Sequence, residues 1–169
     1  ENTSKNAHGI LTHLGRDIDV VAGIFDAGML QYHDGCKAKE LLRTPLCCAI
    51  SAMHPLANKR KLTIEDLYGQ QLLIMKQGWS SQVDALRVDL KAHHPTIKLE
   101  DFDQYSLSIF NRCVTGQEVL LVIPEWRDVH PLIKILPIDW DYTMPYGLFH
   151  SPTPSRAVQT LLETLQTIL

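Results

Sequence analysis

The chain has 169 residues, 45% of them hydrophobic and 21% charged, which supplies a real core and excludes a disordered chain. A formal net charge of −3 lacks the basic surplus of a nucleic-acid surface, so any DNA contact has to come mainly from elsewhere. No apolar run approaches the ~20 residues of a membrane span, and the polar start Glu1-Asn2-Thr3-Ser4 is not a signal peptide.

In chain order, Thr3 to Leu14 reads as a short helix with Ile10, Leu11 and Leu14 on one face, ended by Gly15. Asp19 to Phe25 is a continuous apolar run of the kind found in buried parallel strands. Leu41 to Ile50 is a second strand, interrupted by Pro45, and Met53-His54-Pro55-Leu56 leaves it as a loop. Thr63 caps a short helix, with Asp66 completing a variant capping box and Tyr68-Gly69 stopping it. Then come a strand at Leu72 to Met75 and a helix at Trp79 to Ala92, with Val83, Leu86 and Leu90 inward and Ser80 or Ser81 as cap. Next are a strand at Ile97 to Phe102, a helix at Ser106 to Val114 closed by Gly116, and a strand at Val119 to Ile123 stopped by Pro124. Strands at Leu132 to Pro137 and Pro145 to His150 precede a last helix opened by Ser155, whose Val158, Leu161, Leu162, Leu165 and Ile168 recur at helical spacing. Alternating strands and helices imply an α/β fold with a mostly parallel sheet.

The four cysteines, Cys36, Cys47, Cys48 and Cys113, form no C-x-x-C pair, and Cys47 and Cys48 point to opposite faces of a strand. They read as reduced, buried thiols and not as metal ligands. His93-His94 has no third ligand nearby in sequence and reads as an exposed helix end. No cofactor or metal is expected. Cys36 and His33 stand three residues apart, but no orienting group accompanies them. G-x-S-x-G, P-loop and G-x-G-x-x-G motifs are all missing, which argues against an enzyme.

Several segments together carry a resemblance. Gly15-Arg16-Asp17-Ile18-Asp19-Val20 resembles the "L-x-x-G-x-x-D-v-a-i" segment of LysR-type effector domains, where a helix hands over to a strand. His54-Pro55-Leu56-Ala57 matches that family's "H-P-L-A", and Leu62 to Gly69 resembles its "v-s-l-x-d-L-x-g", with Leu72-Leu73-Ile74 following as the family's strand does. Val114-Thr115-Gly116, the strand to Ile123 and Pro124 resemble "V-x-x-G-x-G-i-a-l-l-P", while Tyr146-Gly147-Leu148 and Ser155 to Leu169 resemble the closing strand and helix. These segments run in the family's order along essentially the whole chain, and that ordered context is what gives the short motifs weight. The chain departs from the pattern at Glu118-Val119, near the family's second glycine, and it begins after the family's first strand and helix.

The resemblance implies two Rossmann-like lobes of the type II periplasmic-binding-protein kind, joined by crossing strands. The expected division is residues 1–67 plus 145–169 for the first lobe, short of its first strand and helix, and 68–144 for the second. It implies a bacterial, cytoplasmic transcription regulator's effector-sensing and oligomerisation domain, forming homodimers or homotetramers. DNA would be read only by a helix-turn-helix that this stretch does not include. A solute-binding protein of the same fold is the alternative.

Ligands of open α/β sheets sit beyond the carboxyl ends of strands. Three such ends are Phe25-Asp26, Met75-Lys76-Gln77-Gly78 and Gln104-Tyr105-Ser106. The last two also open helices, where free N–H groups favour anions. The expectation is a small anionic effector, a carboxylate, held by Lys76, Ser80 and Ser106, with Tyr105 or Trp79 as an apolar wall. Against it, Lys76 reads equally as a surface lysine, Ser80 and Ser106 as plain helix caps, and both aromatics as core.

Overall fold

A computed structural model describes residues 9–26, 30 and 35–168. The chain divides into two compact units, Glu1–Arg43 with Met144–Leu169, and Thr44–Thr143. The first division falls at Arg43/Thr44, so Thr44–Leu67 belongs to the second unit, where the sequence reading has it in the first.

The second unit is built on a five-stranded sheet in the order β5-β4-β6-β3-β7: β3 Cys47–Ser51, β4 Gln71–Met75, β5 Lys98–Phe102, β6 Val119–Val122 and β7 Ile133–Leu136. β4 runs parallel to both β5 and β6, whereas β3 is antiparallel to both β6 and β7. The sheet is therefore mixed, with β3 as its reversed strand. The composition follows the order. Interior strands β3 and β6 are buried throughout, and β4 from Leu72 onward, whereas edge strand β5 carries Lys98, Glu100 and Asp101, and edge strand β7 carries Lys134. Charged edges discourage further strand pairing.

Two helices cover this sheet. α1 (Ser81–His93) buries Val83, Leu86, Arg87 and Leu90, the 3–4 spacing of one helix face. α2 (Leu107–Thr115) buries Ile109, Phe110 and Cys113, which pack with Ala49, Leu73, Leu120 and Val122 into one core. Trp79 lies before α1, not within it, because Ser80 is the N-cap.

The HPLA segment is not a loop. Pro55–Asn58 forms a 3-10 turn capped by His54, whose Nδ1 accepts from the Leu56 N–H at 3.1 Å. With Nδ1 an acceptor, the proton sits on Nε2, which donates to the Gln117 carbonyl at 3.1 Å. His54 therefore ties this turn to the loop between α2 and β6. Thr63 opens a second 3-10 turn, Ile64–Leu67, and the Thr63 N–H donates to Asp66 Oδ2 at 3.0 Å, as the capping-box reading expects. Trp140 is buried and donates its indole N–H to the Leu46 carbonyl at 2.8 Å.

The first unit holds a three-stranded sheet in the order β1-β8-β2: β1 Val20–Ile24, β2 Lys37–Pro45 and β8 Thr143–His150. β1 pairs antiparallel with β8 and is half-buried with Ala22 exposed, so the expectation of a buried parallel strand is corrected. The Leu41-to-Ile50 stretch is also two strands, β2 and β3, in different sheets: Pro45 closes β2 and Leu46 separates them. Helical residues 9–12 lead to Gly15, whose φ of +79° is the left-handed turn a glycine makes readily; residues before 9 lie outside the described ones. Gly147 is required by space, since a Cβ there would meet the Lys39 carbonyl oxygen of β2 at 1.9 Å. Leu14, Phe25, Cys36 and Phe149 form the small core, and α3 (Arg156–Ile168) buries Val158 alone.

Candidate functional site

In the second unit the parallel strands β4, β5 and β6 end together, and the chain leaves β4 and β5 directly into the N-termini of α1 and α2. Met75, at the end of β4, is buried. Lys76 follows it; its N–H donates to the Phe102 carbonyl at 3.0 Å, prolonging the β4–β5 ladder by one bond. Its Nζ lies 2.8 Å from Asp103 Oδ1, and both side chains are open to solvent, at 56% and 80%. Gln77 is exposed, and Gly78, with φ of +88°, reverses the chain and donates its N–H to Asp84 Oδ2 at 2.9 Å.

Ser80 and Ser106 are N-caps. The buried Ser80 hydroxyl accepts from Val83 N–H at 3.4 Å, and Ser106 accepts from Ile109 N–H at 3.4 Å. Each cap satisfies one first-turn N–H and leaves the dipole of its helix directed at the strand ends.

Tyr105 sits in an aromatic cluster. Its ring centroid lies 4.4 Å from Trp126, 4.9 Å from Phe102, 6.3 Å from Phe110 and 6.5 Å from Trp79. Its hydroxyl donates to the Leu121 carbonyl at 2.6 Å, and burial pushes the phenol pKa well up, so it stays a neutral donor. Tyr105 thus spans from the start of α2 to the end of β6. Met75, Lys76, Gln77, Gly78, Trp79, Ser80, Tyr105 and Ser106 fall in one region of one unit. Phe25 and Asp26, both buried, stand at the end of β1 in the other unit.

One contributor escaped the sequence reading. The Arg87 side chain is 5% exposed, yet it is charged. Its Nη2 donates to the Met75 carbonyl at 2.6 Å and its Nη1 lies 2.6 Å from Asp101 Oδ1, so it pins the ends of β4 and β5 beneath the Lys76 turn. Arg87 Nε, Asp84 Oδ1 and Gln104 Oε1 are buried without a hydrogen-bond partner. The signal was present: position 87 falls on the inward face marked by Val83, Leu86 and Leu90.

The altered glycine turn also has a physical account. Arg112 Nε lies 3.0 Å from Glu118 Oε1, and its Nη2 donates to Glu100 Oε2 at 2.7 Å, with a second bond from Nη1 to Glu100 Oε1. These bonds hold the Glu100 carboxyl below its usual pKa and raise that of the guanidinium. A Cβ at Gly116 would meet the Glu118 carboxylate, which would have to move away from it.

All four cysteines are buried as free thiols, and burial raises Cys47 to about 11, Cys113 to about 12, and Cys36 and Cys48 likewise upward, which is the reverse of activation. His33, considered with Cys36, lies outside the described residues. His93 and His94 are engaged separately, with Asp89 at 2.8 Å and the Tyr68 hydroxyl at 3.0 Å. Among the described residues no group of three or more His, Cys, Asp or Glu could hold a metal ion, and no helix is long and apolar enough to cross a membrane.

The family model described as "LysR substrate binding domain" matches residues 3–169. No curated protein matches the sequence. Among solved structures, the regulatory domain of Synechocystis CcmR in complex with 2-PG is similar at 16% identity and a TM-score of 0.60, over 95% of this chain and 78% of that one. The BenM effector-binding domain with its effector benzoate is similar at 19% identity and a TM-score of 0.61, over 99% and 76%. CbnR, a LysR family transcriptional regulator, is similar at 13% identity and a TM-score of 0.67, over 99% of this chain but 57% of that one. At these identities the structural likeness speaks for the fold, which is the type II periplasmic-binding-protein kind.

Proposed function

We infer that this chain, which belongs to the family of LysR substrate-binding domains, senses a small anionic metabolite, a carboxylate, on behalf of a bacterial transcription regulator. The family is one of non-enzymatic regulators, so the chain is a binding domain and not a catalyst. The observation that carries the ligand class is the convergence of two capped helix N-termini and the Lys76 ammonium on the ends of β4 and β5. The aromatic cluster around Tyr105 and Trp79 supplies an apolar wall beside them. Lys76, Gln77, Gly78, Ser80, Tyr105 and Ser106 would contact the ligand in this unit, with Met75 as the floor of the turn. The anion would compete with Asp103 for Lys76.

The relatives named above support this reading, since one binds 2-PG and another benzoate, itself a carboxylate. DNA would be contacted by a helix-turn-helix elsewhere in the regulator, which would work as a homodimer or homotetramer in the cytoplasm. The family match does not favour the solute-binding alternative.

Thermal-shift screening of the chain against a carboxylate library, followed by calorimetry, tests the reading, because a ligand that binds the folded state raises Tm. A carboxylate that raises Tm and binds severalfold more weakly to Lys76→Ala supports it. Unchanged affinity in Lys76→Ala would sink the Lys76 assignment, and stabilisation only by uncharged compounds would sink the ligand class.

A further inference from the structure

The turn that carries Lys76 is fastened at both ends to one helix. Just before Lys76, the Met75 carbonyl accepts from Arg87 Nη2 at 2.6 Å. Two residues after it, the Gly78 N–H donates to Asp84 Oδ2 at 2.9 Å. Asp84 and Arg87 stand three apart on α1, the spacing that places side chains on one helix face. Arg87 Nη1 also lies 2.6 Å from Asp101 Oδ1, and Asp101 is the β5 residue opposite Ile74. Between the two anchors the Lys76 N–H donates to the Phe102 carbonyl at 3.0 Å. The backbone of the turn is therefore held from β5 and from α1, while the Lys76 side chain stays open to solvent. Neither the Arg87 side chain, 5% exposed, nor Asp84 Oδ1 is open to a molecule approaching the turn.

We propose, on the carboxylate reading of this site, that Asp84 and Arg87 are positioning residues: they brace the Lys76 turn in the conformation that binds the effector and do not touch the effector themselves. A turn ordered in advance spends less entropy on binding. Freed at either anchor, it samples other conformations, and affinity falls with the fraction that remains competent. Asp84 makes this separable from plain electrostatics. Its carboxylate lies in the first turn of α1, where it opposes a bound anion. Removing the charge should raise carboxylate affinity, whereas removing the brace should lower it. Asp84→Asn drops the charge but keeps an oxygen for the Gly78 N–H. Asp84→Ala drops both.

Amide hydrogen exchange and calorimetric titration with acetate, succinate and benzoate test this on the 169-residue chain. In Asp84→Ala the loss of one hydrogen bond is expected to speed exchange at Gly78 about fivefold and to weaken the carboxylates that bind by about the same factor. Asp84→Asn is expected to keep the Gly78 exchange rate and to bind as tightly as the unsubstituted chain or more so. Arg87→Met is expected to weaken binding as Asp84→Ala does. Arg87→Lys, which can reach the Met75 carbonyl or Asp101 but not both, is expected to fall between. Leu90→Ala empties a 1%-exposed position on the same helix, and is expected to lower Tm while leaving affinity unchanged. Equal affinities in Asp84→Asn and Asp84→Ala, or a loss in Leu90→Ala as large as in Asp84→Ala, would overturn the proposal. Failure of all three carboxylates to bind the unsubstituted chain counts against the carboxylate reading instead. The brace is then decided by exchange alone, and an unchanged rate at Gly78 in Asp84→Ala overturns it.

Discussion

The two units spend their apolar residues differently. Among the described residues, the large fully buried side chains Ile50, Leu62, Leu72, Leu73, Ile74, Leu86, Leu120 and Ile123 belong to the second unit, while Met144, at 1% exposure, is the first unit's counterpart. The first unit rests on Leu14, Phe25, Cys36 and Phe149, and its α3 leaves Leu161 at 40% and Ile168 at 72% exposure. The contrast teaches where stability resides. The second unit closes its sheet between charged edges and covers it with two helices. Among the described residues, the first buries fewer large side chains and leaves α3 partly wet.

Truncating the second unit's core gives the largest expected effect and the sharpest form of the comparison. Leu73→Ala removes a side chain at 0% exposure from the middle of β4, at an expected cost of about 3 kcal/mol from lost burial and the cavity left behind. Leu161→Ala on α3 is expected to cost less than about 1 kcal/mol in the same urea titration, because the residue is already partly wet. Equal costs would break the contrast.

Next in size is Arg87→Met. It keeps much of the buried stem but strands the Met75 carbonyl and releases Asp101, which is 55% exposed and can rehydrate. The expected loss is about 2 kcal/mol, below that for a pair whose partner stays buried. Hydrogen exchange at Lys76 and Gly78 should accelerate more than at β3, since Arg87 holds the end of β4 and not its centre.

How much of this was legible in the sequence depended on the range of the interaction. Helices α1 and α2, their Ser80 and Ser106 caps, and the Thr63–Asp66 box were readable because periodicity and capping act over a few residues. The direction of strands was not. An apolar run such as Val20–Ile24 looks the same whether its neighbour is parallel or antiparallel, and β8, over a hundred residues away, decides it. The break at Pro45 was visible, but not that β2 and β3 would enter different sheets. Within the candidate site, position along the chain was legible and pairing was not. Nothing local to Lys76 announces Asp103, because that contact exists only once β4 and β5 align in parallel register. The His54 tether to Gln117 is hidden for the same reason.

A smaller effect is expected from acid. The Arg112 hydrogen bonds hold Glu100 low, and the Lys59 contact at 2.5 Å does the same for Asp66. A carboxyl depressed on folding adds stability above its unfolded pKa, about 4 for these groups, and that stability is lost as pH falls through the folded value. Both carboxylates lie in the second unit, so acid should erode the stronger half first. Glu100→Gln should flatten the decline in urea midpoint below about pH 4.5 while costing no more than about 1 kcal/mol at neutral pH, since solvent screens the pair. An unchanged pH profile would remove Glu100 from the account.

The smallest stability effect is expected at Lys76, and its smallness is informative. The Lys76–Asp103 pair is open to water at both ends, so Lys76→Ala should change the unfolding free energy by less than about 0.5 kcal/mol. If the same substitution lowers carboxylate affinity severalfold, the lysine serves the ligand and not the fold, because a structural role would have registered in the urea titration. Asp103→Asn sharpens the point. It frees Lys76 from its competitor, so carboxylate affinity should rise in that variant while stability stays level. A fall in affinity would mean that Asp103 orients Lys76 instead of competing for it. The Arg87 result completes the contrast within the site: one cation is buried, holds backbone and matters to folding, while the other is exposed, holds only a carboxylate and is available for exchange.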